Sequence, residues 1–315
     1  LLVVFLLSNL AYAVERHVPD DYATVQAAID ASGTGDVVTI ADGTYTGDGN
    51  RDVDFLGKAI TVRSANGPDG CVIECTANED DPHRVFVFQN AEDERSILDG
   101  VTIRCIASTR YIIDGIYCTN SSPIIQNCVI TASGRSSTGV RLQDEGSPKL
   151  VNCTISNHFR GVYCEDISPT IEDCEISGNW RGLGIDNCED VSVRRCRIAN
   201  NNSGTTGNSF GAGIHCHTYS DRVSIEDCHI VGNQAENGAG ICVQSCPEAV
   251  IISRCVISGN TAQSNGYGGA GVLISDSSAI ISNCTISDNN ALYGMTLGQG
   301  GGVDALLGQS ESLSI

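Results

Sequence analysis

The sequence predicts an all-β chain wound as a single-stranded parallel β-helix, on three observations. A phrase centred on Cys-x-Ile returns seven times, at Cys128, Cys153, Cys174, Cys196, Cys228, Cys255 and Cys284. Differences between these numbers give coils of 25, 21, 22, 32, 27 and 29 residues. A second phrase falls between them, as "GIYC", "GVRL", "GVYC", "GLGI", "GIHC", "GICV" and "GVLI". Third, short alternating runs separated by turn residues are the strand signal, and no helical period is visible after about residue 32. A unit this short cannot bury its apolar side alone, whereas stacked in parallel register, with rungs ~4.8 Å apart, it can.

In chain order, residues 1–13, "LLVVFLLSNLAYA", read as the apolar stretch and small-residue cleavage site of a secretory signal whose Met is missing, with cleavage expected after Ala13. The β-helix is expected over residues 14–315. Asp20 or Asp21 is expected to cap a short helix over Ala23–Ala31 with Val25, Ala28 and Ile29 on one face, covering the open first rung. A strand is expected over Val37–Ile40. The residue before each ladder cysteine is Asn or Asp except at Arg195 and Arg254, and Asn and Asp tolerate a left-handed turn. Alternation then points Cys174 and Ile176 inward. The C-terminal "GGVDALLGQSESLSI" repeats an earlier unit and stops where the next cysteine is due, which reads as a chain cut mid-coil.

The sixteen cysteines are fewer than a disulfide scaffold of this length needs, so they read as small buried hydrophobes filling a narrow interior. Any disulfide is expected among Cys71, Cys75, Cys188 and Cys246, off the main ladder. The spacing lacks the paired Cys-x-x-Cys of a zinc site. A formal charge of −20, with two lysines, argues against nucleic acid and anionic membrane as partners. It leaves calcium binding through carboxylates open; no other cofactor is implied. No segment is long and apolar enough to span a bilayer.

Tyr-x-Thr-Val-Gln-x-Ala-Ile-Asp-Ala (Tyr22–Ala31), Gly-Asp-x-Val (Gly35–Val38), Gly-Thr-Tyr (Gly43–Tyr45) and the Asn-Cys-x-Ile coils together resemble the pectin-lyase-like right-handed β-helix superfamily. The resemblance covers roughly Val18 to the end and implies a right-handed, secreted solenoid. It does not select an activity, because that superfamily holds lyases, hydrolases, esterases, epimerases and adhesins. The Asn-Thr-Asp and Gly-His-Gly of polygalacturonases, the Gly-x-Asp-Phe-Ile-Phe-Gly of pectin methylesterases and the Arg-x-Pro-Lys of pectate lyases are absent from the sequence. Asp81-Pro82-His83 is similar to a motif of alginate epimerases, but it lies in an acidic loop and reads as coincidence.

Stacking turns outward strand positions into columns. One column is expected to run Tyr117, Arg141, Tyr163, Gly184, His215, Cys242, Leu273, and its neighbour Thr119, Gln143, Glu165, Asp186, His217, Gln244, Ser275. The candidate catalytic residues are therefore His215, His217, Arg141, Tyr163, Glu165 and Asp186, with Gly184 leaving a slot. His215 or His217 suits abstraction of a sugar C5 proton, Arg141 neutralisation of a uronate, and Tyr163 the role of acid. The same His-x-His with Asp186 is the arrangement for a divalent metal, which stays open as an alternative. "NHFRG" and "GNWRG" place Phe159 beside Trp180 and Arg160 beside Arg181 at one rim; rings suit sugar faces and guanidinium suits carboxylate. Tyr117, Gln143 and Gln244 extend this substrate-binding set. The Gly-rich loops further on read as mobile walls or tolerated insertions. The chain is thus expected to be a secreted monomer that binds an acidic extracellular polysaccharide and acts on it as a lyase or hydrolase. A non-catalytic surface or adhesion module is the alternative.

Overall fold

The computed structural model describes residues 12–78, 80–107, 113–134, 136–204, 209–263, 268–292, 301–306 and 313–315. Three long parallel sheets run its length. The first holds twelve strands from Glu15–Val18 to Leu313–Ser314, and the second ten from Gly43–Tyr45 to Thr285–Ser287. The third holds ten from Val53–Asp54 to Val303–Leu306. One coil shows the path: Thr170–Glu172 in the first sheet, Glu175–Ser177 in the second and Arg181–Asp186 in the third. Each strand pairs in parallel with its equivalent one coil away, as expected for a β-helix. Three short strands, Gln234–Ala235, Thr261–Ala262 and Asn290–Ala291, add a small fourth ladder beside the later coils.

The corner between the first two sheets is a single residue in the left-handed region. Asn127, Asn152, Asp173, Asp227 and Asn283 occupy it, and so do Arg195 and Arg254, with φ of 51° and 55°. The two arginines bend to the same geometry while reaching the coil before. Arg195 donates to both oxygens of Asp173 at 2.8 and 2.9 Å, and Arg254 to both of Asp227 at 2.8 Å. The next residue is the ladder cysteine. Cys153 N–H donates to Cys174 Sγ at 3.5 Å, so successive thiols do superpose inside the coil. All sixteen cysteines are free, including Cys71, Cys75, Cys188 and Cys246, where a disulfide was expected if anywhere. Burial pushes Cys71 and Cys75 up to about 12, so they persist as unreactive thiols. Beside the cysteines, Ile130, Ile155, Ile176, Ile198, Ile230 and Ile257 form a fully buried column. Burying each contributes roughly 2–3 kcal/mol by area.

At the N-terminus the helix spans Val25–Ala31 and buries Val25, Ala28 and Ile29. Its cap is Thr24, whose hydroxyl accepts from Ala27 N–H at 3.3 Å, not Asp20 or Asp21. Asp21 instead accepts from His17 N–H, one turn too early to cap.

The second corner carries a buried asparagine ladder that cysteine spacing alone did not suggest. Asn179, Asn201, Asn233 and Asn260 have no exposed surface, and each lies five residues after its coil's cysteine. Asn201 Oδ1 accepts from Asn179 N–H at 3.0 Å, and Asn201 Nδ2 donates to Ile176 O at 3.0 Å. The pattern repeats through Asn233 and Asn260 to Asn289. His158 fills the equivalent position one coil earlier, fully buried, with Nδ1 2.7 Å from Ser137 Oγ and Nε2 lacking a partner. The glycine at the second position of the adjoining third-sheet strand is required by contact at Gly161 and its neighbours Gly139 and Gly182. A Cβ on Gly161 would lie 2.7 Å from Gly182 O and 2.8 Å from Asn179 Nδ2.

Burial depresses His158 from 6.5 to about 4. Between those values the unfolded chain binds a proton that the native state refuses. Native stability is therefore complete above about pH 6.5 and falls as pH drops towards 4, by up to about 3 kcal/mol. His158→Asn, which restores the ladder residue, should remove this share of the dependence, leaving that of buried His215, when urea midpoints are compared at neutral and acidic pH. Asn201→Ala should cost about 2–4 kcal/mol at neutral pH, because it strands Asn179 N–H and Ile176 O. A loss below 1 kcal/mol would show that the ladder is decorative.

Candidate functional site

The third sheet has the register expected from alternation. Tyr117, Arg141, Tyr163, Gly184, His215, Cys242 and Leu273 are successive partners, and so are Thr119, Gln143, Glu165, Asp186, His217, Gln244 and Ser275. Between them opens a cavity of about 170 Å³, lined by Arg160, Tyr163, Arg181, Gly184, Ile185, Asp186, His215 and His217. Gly184 is what makes the room. A Cβ there would already sit 3.1 Å from the Tyr163 ring.

Asp186 joins the two groups able to move protons. Tyr163 Oη donates to Asp186 Oδ2 at 3.2 Å, while His217 Nδ1 lies 3.7 Å from Asp186 Oδ1 and also contacts the Thr218 hydroxyl. Burial, then the Asp186 and Glu165 charges, raise the Tyr163 phenol from 10.0 to about 12, so it stays protonated and able to donate at neutral pH. His215 sits deeper. Its ring stacks on Phe210 at 6.1 Å, its Nε2 is shut from water without a partner, and burial, with Arg181 and His217 acting the same way, holds it near 3. It is a neutral imidazole 5.2 Å from the His217 ring. With His215 turned against Phe210, the His-x-His pair and Asp186 do not converge as metal ligands. Among the described residues no group of three or more His, Cys, Asp or Glu does so.

The cations divide into two kinds. Of the fourteen described arginines, eleven have a carboxylate within 4 Å, as befits so acidic a chain. Arg197 is exposed. The remaining two, Arg160 and Arg181, are register partners that line the cavity with Asp186 but have no carboxylate within 4 Å. Arg160 lies 4.2 Å above the Tyr163 ring, and Arg181 has its Nε buried and unpartnered. Burial and the neighbouring Arg160 charge lower Arg181. Arg141, expected to neutralise a uronate, is instead held by buried Asp114, its Nε 3.1 Å from both carboxylate oxygens. Period-two alternation hid this pair, because Asp114 has the inward parity of Ile116 and Cys118 and yet bonds to Arg141.

The rim residues are neighbours as expected. Phe159 and Trp180 stack at 5.9 Å, with Gly204 packed against the far edge of the indole. Arg160 and Arg181 occupy the first strand position and not the loop before it. Gln143, one coil before the Tyr163 strand, donates to the Tyr117 hydroxyl, two coils before it, at 2.9 Å, with Arg84 stacked 4.0 Å over the Tyr117 ring. Glu165 adjoins Asp186 and Gln244 adjoins His217 on the ladder, and neither lines the cavity.

A profile described as a right-handed β-helix region matches residues 98–247 and 212–310. The chain belongs to the right-handed β-helix family. Solved structures superpose on this chain. The catalytic domain of Agl-KA superposes with a TM-score of 0.53 at 16% identity, covering 97% of this chain and 68% of that one. Pectate lyase Pel9A gives 0.48 at 15% identity, covering 96% and 77%. An alginate lyase from Paenibacillus sp. str. FPU-7 gives 0.45 at 13% identity, covering 92% and 96%. No curated protein sequence matches this β-helix. Among the described residues it has no helix long and apolar enough to cross a membrane.

Asp186→Asn removes one of the two charges that hold the phenol proton on Tyr163. The alkaline absorbance titration assigned to Tyr163, by difference from the same variant carrying Tyr163→Phe, should shift from about 12 part-way towards 10.0. An unmoved titration would mean that the hydroxyl and Asp186 are not in contact in solution.

Proposed function

We propose that this protein is an exported β-helix that binds an acidic polysaccharide on its third sheet and cleaves it by β-elimination. The supporting observation is the pair Arg160 and Arg181, two guanidiniums without a counterion facing a cavity whose other walls hold a proton donor and a proton acceptor. An unpaired, partly buried cation is costly, and a bound carboxylate removes that cost. Export rests on the N-terminal apolar stretch, which lies mostly outside the described residues.

The roles follow from position. A uronate carboxylate bound by Arg160 and Arg181 is neutralised as charge develops at C5. His217, more open than His215 and oriented by Asp186 and the Thr218 hydroxyl, takes the C5 proton. The electrons form the C4–C5 double bond, the C4–O bond breaks, and the departing oxygen takes the Tyr163 proton. Water is not consumed. Asp186 positions both partners and is returned unchanged.

Purified protein incubated with pectate, alginate and glycosaminoglycans should produce the ultraviolet absorbance of an unsaturated uronate with at least one of them. His217→Ala should lower kcat by about a hundredfold or more with little change in affinity. Arg181→Met should weaken both binding and turnover by about tenfold or more. Trp180, the sole tryptophan, gives an independent binding readout by fluorescence. Binding without product would leave a non-catalytic module, and no binding of any acidic glycan would remove the proposal altogether.

A further inference from the structure

Past His215 the outward column changes character. Cys242 and Leu273 continue it in register, yet both are fully buried although alternation points them away from the core. What covers them is backbone. Gly211, Gly238 and Gly269 are left-handed, with φ of 56°, 54° and 65°. A Cβ on Gly211 would lie 2.7 Å from His215 Cβ, one on Gly238 2.9 Å from Cys242 Cβ, and one on Gly269 3.0 Å from Leu273 Cβ. Only glycine lets the chain lie this close. Each opens a Gly-Ala-Gly run whose alanine, Ala212, Ala239 or Ala270, enters a second, small core with Ala235 and Ala262. The layer is therefore a packed wall.

On the other side of the cavity the same column stays half-exposed. Tyr163, Arg141 and Tyr117 are half-buried strand residues, with Arg160 over the Tyr163 ring and Arg84 over the Tyr117 ring. The wall begins where the coil lengthens from 22 residues, Cys174 to Cys196, to 32, Cys196 to Cys228. The cavity sits against that step. Its volume, about 170 Å³, is below the roughly 300–1,000 Å³ of pockets that enclose a whole drug-sized ligand.

We infer that the cavity is the blind end of a cleft along the solenoid axis and takes the terminal residue of an acidic glycan. Its carboxylate meets Arg160 and Arg181, and the rest of the chain lies over Tyr163, Arg141 and Tyr117. This rests on the proposed function and specifies its substrate as a chain end. A chain crossing the sheet at right angles, or running on past His215, is the competing geometry.

Oligogalacturonates, oligomannuronates and oligoguluronates of increasing length, titrated against the full chain by Trp180 fluorescence and native mass spectrometry, distinguish these. Chain-end binding gives one protein per oligomer at every length. Affinity per chain levels off after a few sugars, and chemical modification of one chain end, but not the other, weakens it by tenfold or more. Several proteins per long chain, with affinity indifferent to both ends, would overturn the inference while leaving the proposed function in place. No binding to any of the three and to no glycosaminoglycan would take both away.

Discussion

The left-handed residue before each ladder cysteine is the constraint on which the rest of the molecule depends. A parallel sheet has no intrinsic register, and a slip of one residue would send every inward side chain out. Here φ between 51° and 55° recurs at all seven such corners, from Asn127 to Asn283, and the cysteine that follows is thereby aimed into the coil each time. The asparagine ladder does the same at the next corner, with Oδ1 and Nδ2 reading the adjacent rungs in both directions. Two of three corners are thus pinned by hydrogen-bond chemistry that works only when rungs superpose. The isoleucine and cysteine columns need no side-chain specificity beyond size. That is why thin packing with few aromatics suffices for a chain of 315 residues.

The candidate site arises from departures from the repeat. Gly184 replaces the larger residues that fill this column elsewhere, and it opens a cavity between Tyr163 and His215. Arg160 and Arg181 depart from the pairing rule that governs eleven other arginines. The coil after Cys196 departs in length, and the added residues fold back as backbone over the outward face. The three departures fall within three successive coils. None is needed for stacking, since the coils before them stack without them. A solenoid tolerates such local changes because each rung depends on its neighbours alone.

How far the sequence reveals all this depends on which positions obey a period. Inward and outward sets follow the two-residue period of a strand, so the columns containing Tyr163, Asp186, His215 and His217 were legible from the strings alone. The exact capping residue was not. Thr24 and Asp21 are both good caps, and the choice turns on where the first helical turn closes. Arg141 was misjudged because its partner Asp114 has the inward parity of its strand and so read as a core position. The asparagines were legible in principle, five residues after each cysteine, but an Asn next to Gly reads equally well as an exposed turn. Only its burial shows the ladder.

The Gly-Ala-Gly runs carry the same lesson in stronger form. As composition they suggest flexible loops, which is how glycine-rich insertions ordinarily behave. Their physical meaning comes from what lies beneath them. Three glycines in the left-handed conformation, stacked on successive rungs, bring backbone to within contact of His215, Cys242 and Leu273, and three alanines lock that backbone into a second core. Small residues here give rigidity, because a larger side chain at any of the three would hold the layer off the sheet and reopen the column. The residues that lengthen the coil therefore also close the outward column beyond His215, burying Cys242 and Leu273.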